Sequence, residues 1–306
     1  MRLHELSGDG ELLARAQPEE GDPLWTVRRS GSWHALGMTL TELCAQGAAG
    51  ARDACAAASR GAEIDPGSHL VLAPVDPMQE VWAAGVTYER SRTARIEESG
   101  ARDLYTFVYE SPRPELFLKG VGRRAVGAGE AIGVRADARW SVPEPELVVA
   151  FDAHGEVLGF TAGNDVSSRD IEGANALYLP QAKVYDRSCA VGPAIVPAWS
   201  LGPRPEFEIE LQISRGGEVL FADRTSTARL HRHWEDLGRW LRSCLSFSDG
   251  VLLMTGTGIV PGDEVNLVDG DQVTVRVDGI GALVNTVRTV GVAVDVSPTQ
   301  ASVRST

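Results

Sequence analysis

The chain has 306 residues and a mass of 32.7 kDa, enough for about two domains of ordinary size. Hydrophobic residues make up 43% and charged residues 23%, the balance of a globular protein that can bury a sizeable core. Forty-two acidic against 29 basic side chains leave a net charge of −13, which excludes a nucleic-acid or anionic-membrane partner, since both require a basic surface.

Residues 1–75 read as a small α+β domain. Leu24–Val27 and Trp33–Leu36 are short strands around the turn Arg29-Ser30-Gly31. Thr39 to Ala58 reads as one alanine-rich helix with Thr39 as its cap. Pro74, Asp76 and Pro77 then punctuate the chain. From Val81 onward the sequence is strand-rich, and residues 76–306 are expected to form the larger, catalytic domain. Thr87 is a candidate cap for a helix over Tyr88–Ser99. Leu116–Leu118, Leu147–Thr161, Phe207–Ser214, Glu218–Asp223, Glu264–Leu267, Val273–Val277 and Leu283–Val294 carry strand patterns. His233–Ser246 reads as a helix with Trp234, Leu237, Trp240, Leu241 and Leu245 on one face. Many short strands and few helices predict an α+β, β-dominated fold.

Cys44, Cys55, Cys189 and Cys244 form no CxxC pair and read as buried free thiols of a reducing compartment. The start Met1-Arg2-Leu3-His4-Glu5 lacks the features of a signal peptide, and no apolar run approaches the roughly 20 residues that span a bilayer, so the expected location is the cytoplasm.

The stretch from Pro143 to Asp165 carries the chemistry. Two apolar strands flank His154-Gly155, which is a hairpin signal. With that pair as the turn, Ala153 faces Glu156 and Glu144 faces Asp165. Glu144 and Glu146 are two apart on an extended strand and share a side. Three carboxylates therefore converge at the open end of the hairpin. A pair of such anions at about 4 Å costs on the order of 4 kcal/mol at an effective dielectric near 20. A cation, a proton or solvation must relieve them, and an all-oxygen set suits Mg²⁺ or Mn²⁺.

Glu144-Pro145-Glu146, Gly163-Asn164-Asp165-Val166-Ser167-Ser168-Arg169-Asp170, Lys183 before Tyr185-Asp186, Thr255-Gly256-Thr257-Gly258, and Gly279-Ile280-Gly281 with Asn285 occur in one order. This ordered set, spread over residues 80–295, resembles the fumarylacetoacetate hydrolase family. The resemblance implies a mixed β-roll, Mg²⁺ or Mn²⁺ held by Glu144, Glu146 and Asp165, a small 2-oxo acid substrate, and a homodimer or higher homo-oligomer. It also implies substrate contacts from Arg169 and from the Gly256-Thr257 loop, with Lys183 as a proton carrier.

Hydrolases of that family carry a His–Glu dyad that activates water. At the matching positions this chain has Ser91 and Ala94, and the family's glutamine after the arginine is Glu172. The hydrolytic base is absent. Gly85-Val86-Thr87-Tyr88, Ser91, Tyr109-Glu110, Arg113–Phe117 and Gln181-Ala182-Lys183 resemble instead the branch that dehydrates 2-keto-3-deoxy-D-arabinonate to 2,5-dioxopentanoate. The resemblance thus implies a hydro-lyase with Lys183 and Glu115 as acid and base, Glu172 as a further participant and Ser91 on the substrate side. An acylpyruvate-type C–C hydrolase or decarboxylase is the alternative. Two other signals carry little weight. Gly120–Ala125 loosely matches a dinucleotide fingerprint but no helix pattern follows it, and His231 and His233 read as solvated.

Overall fold

The computed structural model describes residues 1–8, 10–99 and 102–292. The N-terminal segment forms β1 (Leu12–Pro18), β2 (Leu24–Arg29), β3 (Ser32–Ala35), α1 (Leu40–Ala45), α2 (Gly47–Ala58) and β4 (His69–Leu72). β5 (Glu80–Gly85) leads through α3 (Glu89–Ser99) and α4 (Arg102–Glu110) to β6 (Glu115–Val121), β7 (Ala125–Val126), β8 (Ala131–Arg135) and β9 (Ser141–Val142). The hairpin β10 (Pro145–Phe151) and β11 (Val157–Asp165) follows, then β12 (Ser167–Ser168), α5 (Arg169–Ala174) and α6 (Leu179–Lys183). β13 (Cys189–Pro197), β14 (Glu208–Arg215), β15 (Glu218–Ser226), α7 (Trp234–Leu241), β16 (Val251–Met254), β17 (Gln272–Val277) and β18 (Gly281–Val290) complete the described elements. The fold is β-dominated with mixed sheets, as expected.

The main sheet runs β3-β2-β1-β13-β11-β10-β16-β5-β6, with β4 on β1 and β7 on β13. A five-stranded sheet, β15-β14-β17-β18-β8, packs over one face of it. Leu147, Val149, Phe151 and Phe160 of the hairpin share that core with Ile209, Leu211, Val273 and Val275. Val148, Ala150, Ile195 and Leu252 point the other way, against Leu13, Val27, Leu40 and Leu43. With both faces covered, β10 is buried at all seven positions, which explains its unbroken Leu-Val-Val-Ala-Phe run. β1 pairs with β13 at Leu13 and Ile195, so the N-terminal strands continue the central sheet and its core.

Several local expectations change. The helix over 39–58 is two helices. Thr39 caps the first in a reciprocal box with Glu42, and the chain breaks at Gly47. Gly47 has φ +73° and lies where a Cβ would press on His154 and Asp152. Thr87 does not cap α3, because its hydroxyl donates to Thr255 O at 2.7 Å. α7 stops at Leu241, and Leu245 is exposed. There the Arg242 guanidinium turns to the Asp152 and Ala153 carbonyls. Glu264–Leu267 is not a strand; Asn266 and Val265 bond instead to residues 139–141 through side chains. The strand expected over 283–294 ends at Val290, and residues 293 and 294 lie outside the described ones. Cys44, Cys55 and Cys189 are buried free thiols, whereas Cys244 is exposed.

Candidate active site

The β10–β11 hairpin has the expected register by an unexpected route. Pro145 faces Asn164, Glu146 faces Gly163, and the Asp165 amide donates to Glu144 O at 2.9 Å. The turn is not the two residues His154-Gly155. It spans Asp152–Glu156, and a register shift at Ala150/Phe151 returns the strands to the even alignment.

At the open end Glu144, Glu146 and Asp165 are all buried, and one carboxylate oxygen from each lies within 4.8 Å of the others. Asn164 Oδ1 accepts from the Glu144 amide, and the Gly256 amide donates to Glu146 Oε2. The Gly256 N–H thus positions a carboxylate, not the substrate assigned to it from the sequence. Burial pushes the Glu146 carboxyl well above the usual carboxylate range, and the negative charges of Asp165 and Glu144 push it the same way. Lys183 and the Gly256 amide pull against that rise. Three converging, buried carboxylates that offer only oxygen donors fit a hard divalent cation.

Lys183, at the end of α6, is buried against the cluster. Its Nζ lies 2.7 Å from Glu144 Oε1, 2.9 Å from Asp165 Oδ2 and 2.6 Å from Ser167 Oγ. Arg169 opens α5, and its Nη2 is 3.4 Å from Glu144 Oε1. Glu172, one turn further on, is also buried.

Glu115 starts β6 opposite Gly85 of β5. A Cβ on residue 85 would collide with the Glu115 carboxylate, so the absent side chain makes its seat. Glu115, Glu172, Lys183, Ser91 and Thr257 line one small cleft with Glu144 and Asp165. The residues that sequence reasoning singled out therefore come together, with Glu146 and Arg169 joined to the cleft through Glu144 and Asp165, and Gly256 through Glu146. Two of the hydroxyls are engaged locally: Ser91 Oγ donates to Tyr88 O at 2.8 Å and Thr257 Oγ1 to Ile259 O at 3.0 Å.

Other flagged residues stand apart. The amide of Asn285 donates to the Gly127 and Glu130 carbonyls, so Asn285 supports the scaffold. His231 and His233 are exposed, and His231 stacks on Tyr109 at 4.2 Å. Gly122–Arg124 forms a single 3₁₀ turn before β7, with no nucleotide-binding helix.

Sequence reasoning missed Lys119. It is 1% exposed, and its Nζ lies 2.5 Å from Asp165 Oδ1 and 3.1 Å from Val166 O. A signal was present in the composition, since Lys119 and Lys183 are the only two lysines among 29 basic residues.

Comparison with known proteins agrees with this geometry. Residues 86–288 match the family model described as fumarylacetoacetate (FAA) hydrolase C-terminal. The chain is 46% identical over 217 residues to a probable 2-keto-3-deoxyxylonate dehydratase of Haloferax volcanii, covering 71% of this chain and 74% of that protein. It is 42% identical over 222 residues to the 2-dehydro-3-deoxy-D-arabinonate dehydratase of Saccharolobus solfataricus, with the same coverages. A solved 2-keto-3-deoxy-D-arabinonate dehydratase complexed with magnesium and 2,5-dioxopentanoate superposes with a TM-score of 0.78 at 31% identity, over 91% of this chain and 99% of that one. With its motifs, its fold and its carboxylate cluster in agreement, the chain belongs to the fumarylacetoacetate hydrolase family.

Proposed function

We propose that the protein is a Mg²⁺- or Mn²⁺-dependent dehydratase of a 2-keto-3-deoxy sugar acid, with 2-keto-3-deoxy-D-arabinonate or a close relative as substrate and 2,5-dioxopentanoate as product. The observation that carries this reading is one cleft holding Glu115, Glu172 and Lys183 against the carboxylates, in a chain whose relatives are named as such dehydratases.

Glu144, Glu146 and Asp165 would hold the ion. When bound, a divalent cation supplies Lewis-acid polarisation of the carboxylate and keto oxygens of a 2-oxo acid, which acidifies the C3 protons. Arg169 offers planar donors beside Glu144 and fixes that end of the site. Lys183 and Glu115 line the same cleft and divide the acid–base work: one removes a C3 proton and the other protonates the departing C4 hydroxyl. The resulting 3,4-enone then loses a C5 proton and gains one at C3, and the 4,5-enol so formed tautomerises to the C5 aldehyde. Glu172 orients the substrate's hydroxyls, while Ser91 and Thr257 shape the wall. Elimination needs no water nucleophile, so Ser91 and Ala94 can stand where hydrolases keep their dyad. We assign the chemistry to residues 76–306 and a scaffolding role to residues 1–75, and we take the protein to act in the cytoplasm as a homo-oligomer.

The test is turnover of the purified protein on 2-keto-3-deoxy pentonates and hexonates, with and without chelator. A semialdehyde oxidised by a coupled dehydrogenase, lost on chelation and restored by Mg²⁺, is the expected result. Release of pyruvate plus an acid would assign the C–C bond hydrolase or decarboxylase reaction instead.

A further inference from the structure

This chain carries 27 arginines and two lysines, and both lysines are buried against the same aspartate. Among the described residues every lysine or arginine side chain that faces solvent is an arginine, so the lysine side chain is confined to one place. Lys183 has an assigned part in the chemistry; Lys119 has none.

The two ammoniums make different bonds. Lys183 reaches three side-chain oxygens, on Glu144, Asp165 and Ser167. Lys119 reaches Asp165 Oδ1 at 2.5 Å and two main-chain carbonyls, Val166 at 3.1 Å and Lys183 at 2.5 Å. One nitrogen thus makes two main-chain hydrogen bonds, to Val166 O and Lys183 O, and an ion pair with the Asp165 carboxylate, which ties the end of β11 to the end of α6. The Lys183 carbonyl is held a second time, by Ser188 Oγ at 2.8 Å. Lys119 is also the extra residue of a β-bulge, since Trp82 pairs with Leu118 and Val81 with Gly120. Such insertions re-aim side chains beside active sites.

We infer that Lys119 is a positioning residue: it fixes the Asp165 carboxylate through Oδ1, leaving Oδ2 toward the cluster, and roots the main chain of Lys183 at a set distance from that aspartate. It couples the metal site to the proton carrier and touches neither substrate nor ion. This rests on the metal-dependent reading above. A guanidinium spreads its donors over a plane, whereas this buried slot gathers two main-chain carbonyls and a carboxylate around one compact nitrogen, so arginine does not replace it.

The test compares Lys119→Met and Lys119→Arg with the wild-type protein by Mn²⁺ calorimetry, by the electron paramagnetic resonance spectrum of bound Mn²⁺, and by kinetics. Residues that orient metal ligands typically contribute 10–100-fold to affinity. Both variants should bind Mn²⁺ at least 10-fold more weakly, with an altered spectrum and a lowered kcat. A folded Lys119→Met with wild-type Mn²⁺ affinity and spectrum would overturn the inference. Should both variants fail to fold, the wild-type protein labelled with ¹⁵N at lysine Nζ decides, because it gives two ammonium signals at most. The Lys119 signal should shift when Mg²⁺ is added; if Mg²⁺ binds and that signal stays in place, the inference is wrong. Wild-type protein that binds neither ion overturns the metal-dependent reading itself, and the inference with it.

Discussion

The two ends of the β10–β11 hairpin each bury acidic side chains and neutralise them in opposite ways. At the turn, Asp152 is fully buried, and its oxygens accept from three backbone amides, those of Ala48, His154 and Glu156, at 2.8–2.9 Å. Those donors are fixed by the fold and carry no mobile charge. At the open end, Glu144 and Asp165 meet Lys183, Arg169 and Lys119, which are cations on side chains, and Glu146 stays above its usual protonation range. An acid satisfied by amides is finished as structure. An acid satisfied by side-chain cations can exchange partners, and only the second arrangement can take up an ion, a substrate and a proton in turn.

The largest effect that would sharpen this contrast is on rate. Lys183→Ala, folded and with metal still bound, should lose on the order of 10²–10⁴ in kcat, the usual share of a general acid or base. Steady-state kinetics beside a metal assay checks it, and near-normal turnover would remove Lys183 from the mechanism. Next is Glu146→Gln. Desolvation first, then Asp165 and Glu144, disfavour the ionised carboxylate. A carboxyl raised in this way destabilises the metal-free fold progressively as pH rises from its unfolded value toward its folded one, and that cost is absent below the unfolded value. The neutral amide should therefore raise the melting temperature of the metal-free protein near pH 7 while abolishing measurable Mn²⁺ binding. For the same reason, Mn²⁺ binding to the wild type should release a proton and tighten with rising pH. A variant that is both less stable and still binds Mn²⁺ would contradict this account of the open end.

Asp152→Ala makes the reciprocal test. It strips three partly buried amides of their acceptor, at about 1 kcal/mol each at most, so a loss of up to about 3 kcal/mol is expected in denaturant unfolding. Mn²⁺ affinity should be unchanged, because the turn lies at the far end of the hairpin. Weakened metal binding would mean that the two ends are not independent.

Much of the open end was legible in the sequence. Glu144-Pro145-Glu146 and Asp165 lie at strand ends, where alternation and register suffice to bring them together. The register survived a misread turn because a five-residue loop and one bulge displace the pairing in opposite directions. Lys119 was hidden for the same physical reason that gives it its position: the apolar run ends at Leu118, whereas the strand continues through a bulge to Val121. The break at Gly47 was hidden because it depends on His154 and Asp152, about a hundred residues away. Alanine-rich propensity alone favours an unbroken helix there.

Backbone strain divides the two ends as well. At the turn the positive φ falls on Gly155, at +91°, where it costs little. Beside the cleft it falls on Val86, at +54°, a β-branched residue between the Gly85 that seats Glu115 and the Thr87 tied to Thr255. Such a residue holds about 1–3 kcal/mol of strain. Because Val86 is buried, removing its side chain also loses packing, so two truncations must be compared with each other. Ordinarily glycine is less stable than alanine by about 0.5–1 kcal/mol, from backbone entropy. At position 86 the order should reverse, with Val86→Gly more stable than Val86→Ala by about 1 kcal/mol in urea unfolding. Val86→Gly should also lose several-fold in kcat/KM, since the freed backbone no longer fixes the seat of Glu115. If alanine proves the more stable of the two, the strained turn is not a property of the folded protein, and the contrast between the two ends rests on charge alone.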